Sequence, residues 1–311
     1  MSAPALLRIA SRESRLAMVQ SEWTAAQLKL LYPLAIIEII GMTTRGDQIL
    51  DQPLAQIGGK GLFIKELEVA LEEGRADLAV HSMKDVPMTL PDGFSAIIVG
   101  LREDVQDAFV SNRFGSIDEL PQGATVGTSS LRRESQLRHR RPDLKIEALR
   151  GNVNTRLAKL DAGQYDAIIL AAAGLKRLGF HDRIRSQLDR KDFLPAIAQG
   201  ALGIEFRTDR ADVAAWLAPF ARADTTAIVS AERSLGRALT ASCDVPLGGH
   251  ATIAGGVLQL EGFVAMPDGS RMIRDTVSGP VADAERLGTD LAARLVAAGA
   301  GGILASLSRH A

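Results

Sequence analysis

Short apolar runs alternate with helix-period segments through the first two thirds of the chain, and that alternation leaves few folds open. Leu6–Ala10 reads as a strand, followed by a helix on which Leu16, Val19, Trp23, Ala26 and Leu30 recur at helical spacing. Ala35–Ile40 is rich in isoleucine and reads as a buried strand. The polar, glycine-bearing stretch Thr43–Gly61 leads to a helix over Phe63–Glu73, stopped by Gly74, and then to a strand over Asp77–His81 that ends in a turn at Pro87. The pattern resumes with strands at Ala124–Gly127, Lys145–Leu149 and Asp166–Leu170, separated by helices over Ser130–Arg140 and Val153–Ala162. Such units predict an α/β protein with mixed, largely parallel sheets in two blocks, the strand Ala201–Phe206 returning to the first.

From about residue 222 the pattern changes. A helix over Thr225–Leu239, adjacent strands at Val257–Val264 and Met272–Val277, and a helix over Ala282–Ala298 predict a small C-terminal α+β domain with an antiparallel sheet. At 311 residues the chain exceeds one ordinary core. The expected division is therefore residues 1–100 with 200–218, residues 105–195, and residues 222–311.

Composition removes several function classes. A formal net charge of −1 gives no overall attraction to nucleic acid or an anionic membrane. One cysteine forms no internal disulfide and no C-x-x-C zinc motif, so no metal is expected. The longest apolar run, Ala167–Leu175, falls short of the ~20 residues of a membrane span. Residues 1–10 lack the basic start and apolar stretch of a signal peptide, so a cytoplasmic location is expected.

Within the near-neutral total, 8 of the 36 basic residues are Lys, leaving 28 Arg. Four arginine-bearing turns share one placement, where a strand ends and a helix begins: Ser11-Arg12-Glu13-Ser14-Arg15, Thr128-Ser129-Ser130-Leu131-Arg132-Arg133, Arg150-Gly151-Asn152-Val153-Asn154-Thr155-Arg156, and Ala173-Gly174-Leu175-Lys176-Arg177. Ser14 is the expected N-cap of the first helix. A helix start carries partial positive charge, so arginines crowded there repel mildly unless an anion completes the site. Ligands of open α/β sheets also bind beyond the carboxyl ends of strands. The four turns thus point to a cleft for a ligand with several negative groups. Solvated arginines paired with nearby acids are the plainer reading of any single turn; four repeats count against it. Phosphate and carboxylate both stay open as the anion, although Gly58-Gly59-Lys60-Gly61 lacks the spacing and the Ser/Thr of a phosphate-binding loop.

Two further residues carry chemistry. Asp85, in His81-Ser82-Met83-Lys84-Asp85-Val86-Pro87, is either a turn residue or a carboxylate kept ionised among arginines, able to hold a cation and move protons. Cys243, in Cys243-Asp244-Val245-Pro246-Leu247-Gly248, is either a small buried apolar group or a loop thiol activated by a cationic cleft. Asp244, Pro246 and Gly248–Gly249 favour a loop.

These motifs, with Ile9-Ala10-Ser11-Arg12, Gly58-Gly59-Lys60-Gly61-Leu62-Phe63 and Pro195-Ala196-Ile197-Ala198-Gln199-Gly200, resemble the porphobilinogen deaminase (hydroxymethylbilane synthase) family in its order over nearly the whole chain. The resemblance implies two type II periplasmic-binding-protein-like domains flanking a cleft, with a third, C-terminal domain. It implies a transferase that adds four porphobilinogen units, one at a time, to a dipyrromethane cofactor held by a thioether to Cys243, then releases hydroxymethylbilane with water. Loss of ammonia from the substrate leaves an azafulvenium cation, which the resemblance assigns to Asp85. It places Lys84, Thr128, Ser129, Ser130, Arg132, Arg133 and Arg156 at the cofactor, and Arg12, Ser14, Lys60, Phe63, Arg150, Arg156 and Arg177 at the substrate. The stretch Asp47–Lys60 corresponds to a mobile loop. A monomer is implied, with uroporphyrinogen III synthase as the protein that would take over the product. Ile-Ala-Ser-Arg stands where Ile-Gly-Thr-Arg is commoner, and Thr240-Ala241-Ser242 replaces a stretch that often contains glycine. The rival reading is a non-catalytic two-lobed binding protein for a carboxylated small ligand; it explains the arginines but needs neither Asp85 beside Lys84 nor a lone loop cysteine.

Overall fold

The computed structural model describes residues 3–48, 61–239 and 245–308. Its strands are β1 (Leu6–Arg12), β2 (Ile36–Met42), β3 (Leu78–Ser82), β4 (Phe94–Val99), β5 (Asp107–Val110), β6 (Thr125–Gly127), β7 (Lys145–Glu147), β8 (Ala167–Ala171), β9 (Ser186–Gln187), β10 (Leu202–Arg207), β11 (Leu247–Ala254), β12 (Val257–Ala265) and β13 (Met272–Pro280). They form three sheets, ordered β2-β1-β3-β10-β4, β7-β6-β8-β5-β9 and β11-β12-β13. Described residues up to 103, with 200–226, make one compact unit; residues 104–199 and those from 227 onward make the other.

The first two sheets share one plan. β1 pairs in parallel with β2 and β3, and β10 runs antiparallel to β3 and β4. Likewise β6 pairs in parallel with β7 and β8, and β5 runs antiparallel to β8 and β9. The parallel half of each sheet is the half that strand–helix alternation announces. Ala201–Phe206 does return to the first sheet, as β10. Both faces of each sheet are covered, which is why the central strands read as continuous apolar runs. Leu7, Ile9, Leu78, Val80 and Ile204 pack on one side of the first, and Ala10, Leu67, Leu71, Ala79 and Phe94 on the other. In the second, Phe109, Val126, Leu137 and Ile169 form one cluster, and Val110, Leu149, Leu157 and Leu170 the other.

The third sheet is antiparallel throughout, as expected. It corrects one reading: Gly248–Gly249 lie within β11, paired to β12 from Leu247 opposite Val264 to Ala254 opposite Val257, and not in a loop. A Cβ at Gly248 would stand 2.5 Å from the Phe263 ring and 2.8 Å from the Pro195 carbonyl, so glycine serves close packing here. The stretch Val281–Leu307 has the length and mean hydropathy, 1.4, to cross a membrane, which the apolar-run reading did not anticipate. Its first helix, Ala284–Leu295, instead buries Leu287, Leu291 and Leu295 and carries paired Arg286, Asp283 and Asp290 on its exposed side. The stretch then bends at Gly299, φ 107°.

Candidate active site

In the first unit, β1 and β3 are parallel neighbours; Arg12 and Ser14 fall at the carboxyl end of the one, Lys84 and Asp85 just past that of the other. Ser14 caps the helix Arg15–Leu31, its hydroxyl accepting from the Ala17 amide at 3.4 Å, as predicted. Arg12 Nε donates to Asp47 Oδ2 at 3.0 Å, with a second, shorter contact between the two side chains. The Arg12 guanidinium also lies over the Phe63 ring, 4.3 Å from its centre. Gly46 permits this arrangement, since a Cβ there would stand 2.4 Å from Phe63. Burial pushes the Asp47 carboxyl up, but hydrogen bonds from Arg12 and Thr44 outweigh it and hold the group below the usual carboxylate range.

Asp85 closes a short 3-10 turn, Met83–Asp85, that leaves the end of β3. The turn is seated from below. Met83 is buried and its amide donates to the Ala201 carbonyl at 3.0 Å, while Ser82 accepts from Gln20 Nε2 at 2.8 Å. Lys84 is half-buried and Asp85 exposed, so the acid is presented at the surface of its unit.

In the second unit, β6, β7 and β8 end in the other three arginine turns. Thr128 Oγ1 accepts from the Ser130 amide at 3.2 Å, and Ser129 exchanges hydrogen bonds with Leu149 at 3.0 Å, tying the turn after β6 to the segment after β7. Gly151 (φ 109°) turns the chain into Asn152, whose side chain caps the helix Val153–Asp161 by accepting from the Thr155 amide at 3.0 Å. Arg156 Nε donates to the Gly151 carbonyl at 2.8 Å, and burial lowers the Arg150 pKa. Beside Arg177, Lys176 pairs with Asp104 at 2.7 Å.

Arg132 and Arg133 are placed differently from a solvent-facing pair. Both are buried and share Asp107, at 2.8 Å and 2.7 Å, while Arg132 donates to the Leu194 carbonyl at 2.6 Å and Arg133 to that of Ile169 at 3.1 Å. Gln199 Nε2 adds a bond to Asp107 at 3.0 Å. Burial alone would raise the Asp107 carboxyl, but the two guanidiniums hold it far below its ordinary range. Burial, against the pull of Asp107, lowers Arg132. One carboxylate thus faces two guanidiniums, an excess of positive charge that a carboxylated group would complete.

Asp107 and Gln199 were not singled out from sequence. A charge opening the apolar run Asp107-Ala108-Phe109-Val110 was the available signal. Glu232 was missed as well: its fully buried carboxylate accepts from the amides of Ala198 at 2.7 Å and Ala251 at 2.8 Å, holding Ala198 at φ 59°. It thereby ties the segment after Leu194 to β11. Lys60 and Cys243 lie outside the described residues; two residues past Cys243 these begin again at Val245, and Gly249 of β11 donates to the Pro195 carbonyl at 3.1 Å. Among the described residues no cluster of three or more metal-binding side chains occurs.

The chain matches the family model described as "Porphobilinogen deaminase, dipyromethane cofactor binding domain" over residues 7–215 and that of "Porphobilinogen deaminase, C-terminal domain" over residues 226–297. It is 60% identical over 299 residues to the porphobilinogen deaminase of Chromobacterium violaceum, covering 96% of this chain and 97% of that one. To the porphobilinogen deaminase of Methylobacillus flagellatus it is 58% identical over 307 residues, covering 99% of each. Among solved structures it is similar to the periplasmic VFT2 domain of Bordetella pertussis BvgS, at 18% identity over 68% of this chain and 85% of that one, with a TM-score of 0.43. It is also similar to the methionine-binding protein MetQ, at 17% identity over 70% and 90%, with a TM-score of 0.45.

Proposed function

The chain belongs to the porphobilinogen deaminase family, and from that premise we propose how its own residues divide the work. The enzyme is a transferase that joins four porphobilinogen units in turn, with loss of ammonia at each, onto a dipyrromethane cofactor and releases linear hydroxymethylbilane by hydrolysis. The binding-protein alternative is not favoured. When bound, the dipyrromethane supplies the free pyrrole α-carbon to which the first unit is joined. Cys243 holds it through a thioether.

The observation that carries the assignment of roles is the buried pair of guanidiniums sharing one carboxylate, Arg132 and Arg133 on Asp107. Their surplus charge suits the acetate and propionate groups of the cofactor, with Lys84, Thr128, Ser130 and Arg156 as further donors. Ser129 holds the turn through its bonds to Leu149, and Arg133, bonded to Asp107 and the Ile169 carbonyl, adds its charge beside Arg132. Arg12, Ser14, Lys60, Phe63, Arg150, Arg156 and Arg177 bind the substrate and the lengthening chain. The Asp85 carboxylate offsets positive charge on the substrate as ammonia leaves, and it accepts the proton released when the new carbon–carbon bond forms.

Three domains, residues 1–100 with 200–218, 105–195 and 222–311, carry these roles. The protein is a cytoplasmic monomer, and its product passes on to uroporphyrinogen III synthase. The test is Asp85→Ala. Porphobilinogen turnover should fall roughly 100- to 1000-fold while the melting temperature holds, because Asp85 is exposed. Near-normal turnover would remove Asp85 from the chemistry.

A further inference from the structure

Four residues before Asp85, β3 carries His81, whose side chain is only 5% exposed. Its Nε2 lies 2.7 Å from Oε2 of Glu205 on the neighbouring strand β10, and that carboxylate is fully buried. The approach is an ion-pair distance without hydrogen-bond alignment, and neither Glu205 oxygen accepts a hydrogen bond among the described residues. A third group, Glu68, comes from the helix Lys65–Glu72, and its Oε1 is buried in the same state. Burial first, then the charge of Glu205, pushes Glu68 up to about 7; Glu72 adds to this, while His81 and Lys65 oppose it. The register sets Ala10 of β1 opposite Ala79 and Ala96 of β4 opposite Glu205.

Apolar side chains would serve folding better at such positions, because buried polar groups without full hydrogen bonding are costly. Their place in the fold gives them another use. The strand pair that holds them also seats the Met83–Asp85 turn: His81 stands opposite Gly203, and the absent Cβ of Gly203 makes room for Met83. We infer that His81 and Glu205, with Glu68 beside them, are positioning residues for the reaction: they hold β3 against β10 so that the turn presents Lys84 and Asp85. This rests on Asp85 acting as proposed above.

The test compares holoenzyme variants His81→Gln, Glu205→Gln and Glu68→Gln with wild type from about pH 6 to pH 9, with Asp85→Asn in parallel. His81→Gln and Glu205→Gln should lower kcat roughly 10- to 100-fold with KM for porphobilinogen little changed. Glu68→Gln should remove an inflection near pH 7 from the kcat profile, the value to which Glu68 is raised. If Glu205→Gln fails to fold, the Glu68→Gln profile still decides, since that residue is only half-buried. Lowered melting temperatures with unaltered kcat and an unaltered Glu68→Gln profile would overturn the inference. Normal turnover in Asp85→Asn would overturn the role of Asp85 instead.

Discussion

Asp107→Ala takes a shared carboxylate from two guanidiniums that are 5% and 7% exposed. Removing one partner of a buried ion pair costs about 3–5 kcal/mol, because the remaining charge is stranded away from water. Here two charges are stranded, and Gln199 loses an acceptor, for about 1 kcal/mol more. Against this, the carbonyls of Leu194 and Ile169 keep their guanidinium bonds, so about 4 kcal/mol is the expected loss near neutral pH. At roughly 2–4 °C per kcal/mol, the melting temperature should drop by about 10 °C. The pH dependence has a definite sign. The folded-state pKa of Asp107 lies far below its ordinary 3.8, so its contribution is complete above that value and is lost as pH falls toward the folded-state pKa. Urea unfolding near pH 7 and again near pH 3 should therefore show a large difference between wild type and variant that narrows in acid. A variant within about 0.5 kcal/mol of wild type near neutral pH, or a difference that grows on acidification, would refute the cluster's role.

Gly203→Ala would place a methyl 2.1 Å from the Met83 sulfur in a buried site, so stability should fall by about 1–3 kcal/mol and turnover roughly 10- to 100-fold as the Asp85 turn shifts; wild-type kcat would sink this. Arg132→Leu should lower cofactor loading and melting temperature together, because it also takes from Asp107 one of its two guanidinium partners, and intact mass with a thermal melt reads both. Arg177→Leu should raise KM for porphobilinogen about tenfold, the loss of one charged hydrogen bond; an unaltered KM puts Arg177 outside the site.

Periodicity reveals the parts of this fold that repeat strand and helix, and it misses the parts that do not. β1, β2, β3, β6, β7 and β8 were legible because they alternate with segments of helical period, and most lead into a helix with a polar or capped start, as at Ser14 and Asn152. β4, β5 and β9 were not. None of them leads into a helix, β9 has only two residues, and β5 opens on a buried charge, Asp107, whose partners come from distant segments. β11 was hidden by Pro246 and Gly248–Gly249, residues that mark turns in isolation, although Gly248 here admits Phe263 and the 194–195 backbone. At the site, the arginine turns and Asp85 were visible as local motifs. Which arginines are buried was not, because the partners Asp107 and Leu194 lie far off in sequence. The same holds for Glu232 and for the His81–Glu205 pair, where only strand register brings the groups together.

The proposed catalytic apparatus is built around a cofactor carried on Cys243, and the intact mass of the purified, active protein reads that cofactor without intermediary. Wild type should exceed the mass of its polypeptide by two linked pyrrole units, and Cys243→Ser should weigh no more than its polypeptide and be inactive. Fully active wild-type enzyme at the bare polypeptide mass, or the same added mass on Cys243→Ser, would rule out Cys243 as the anchor.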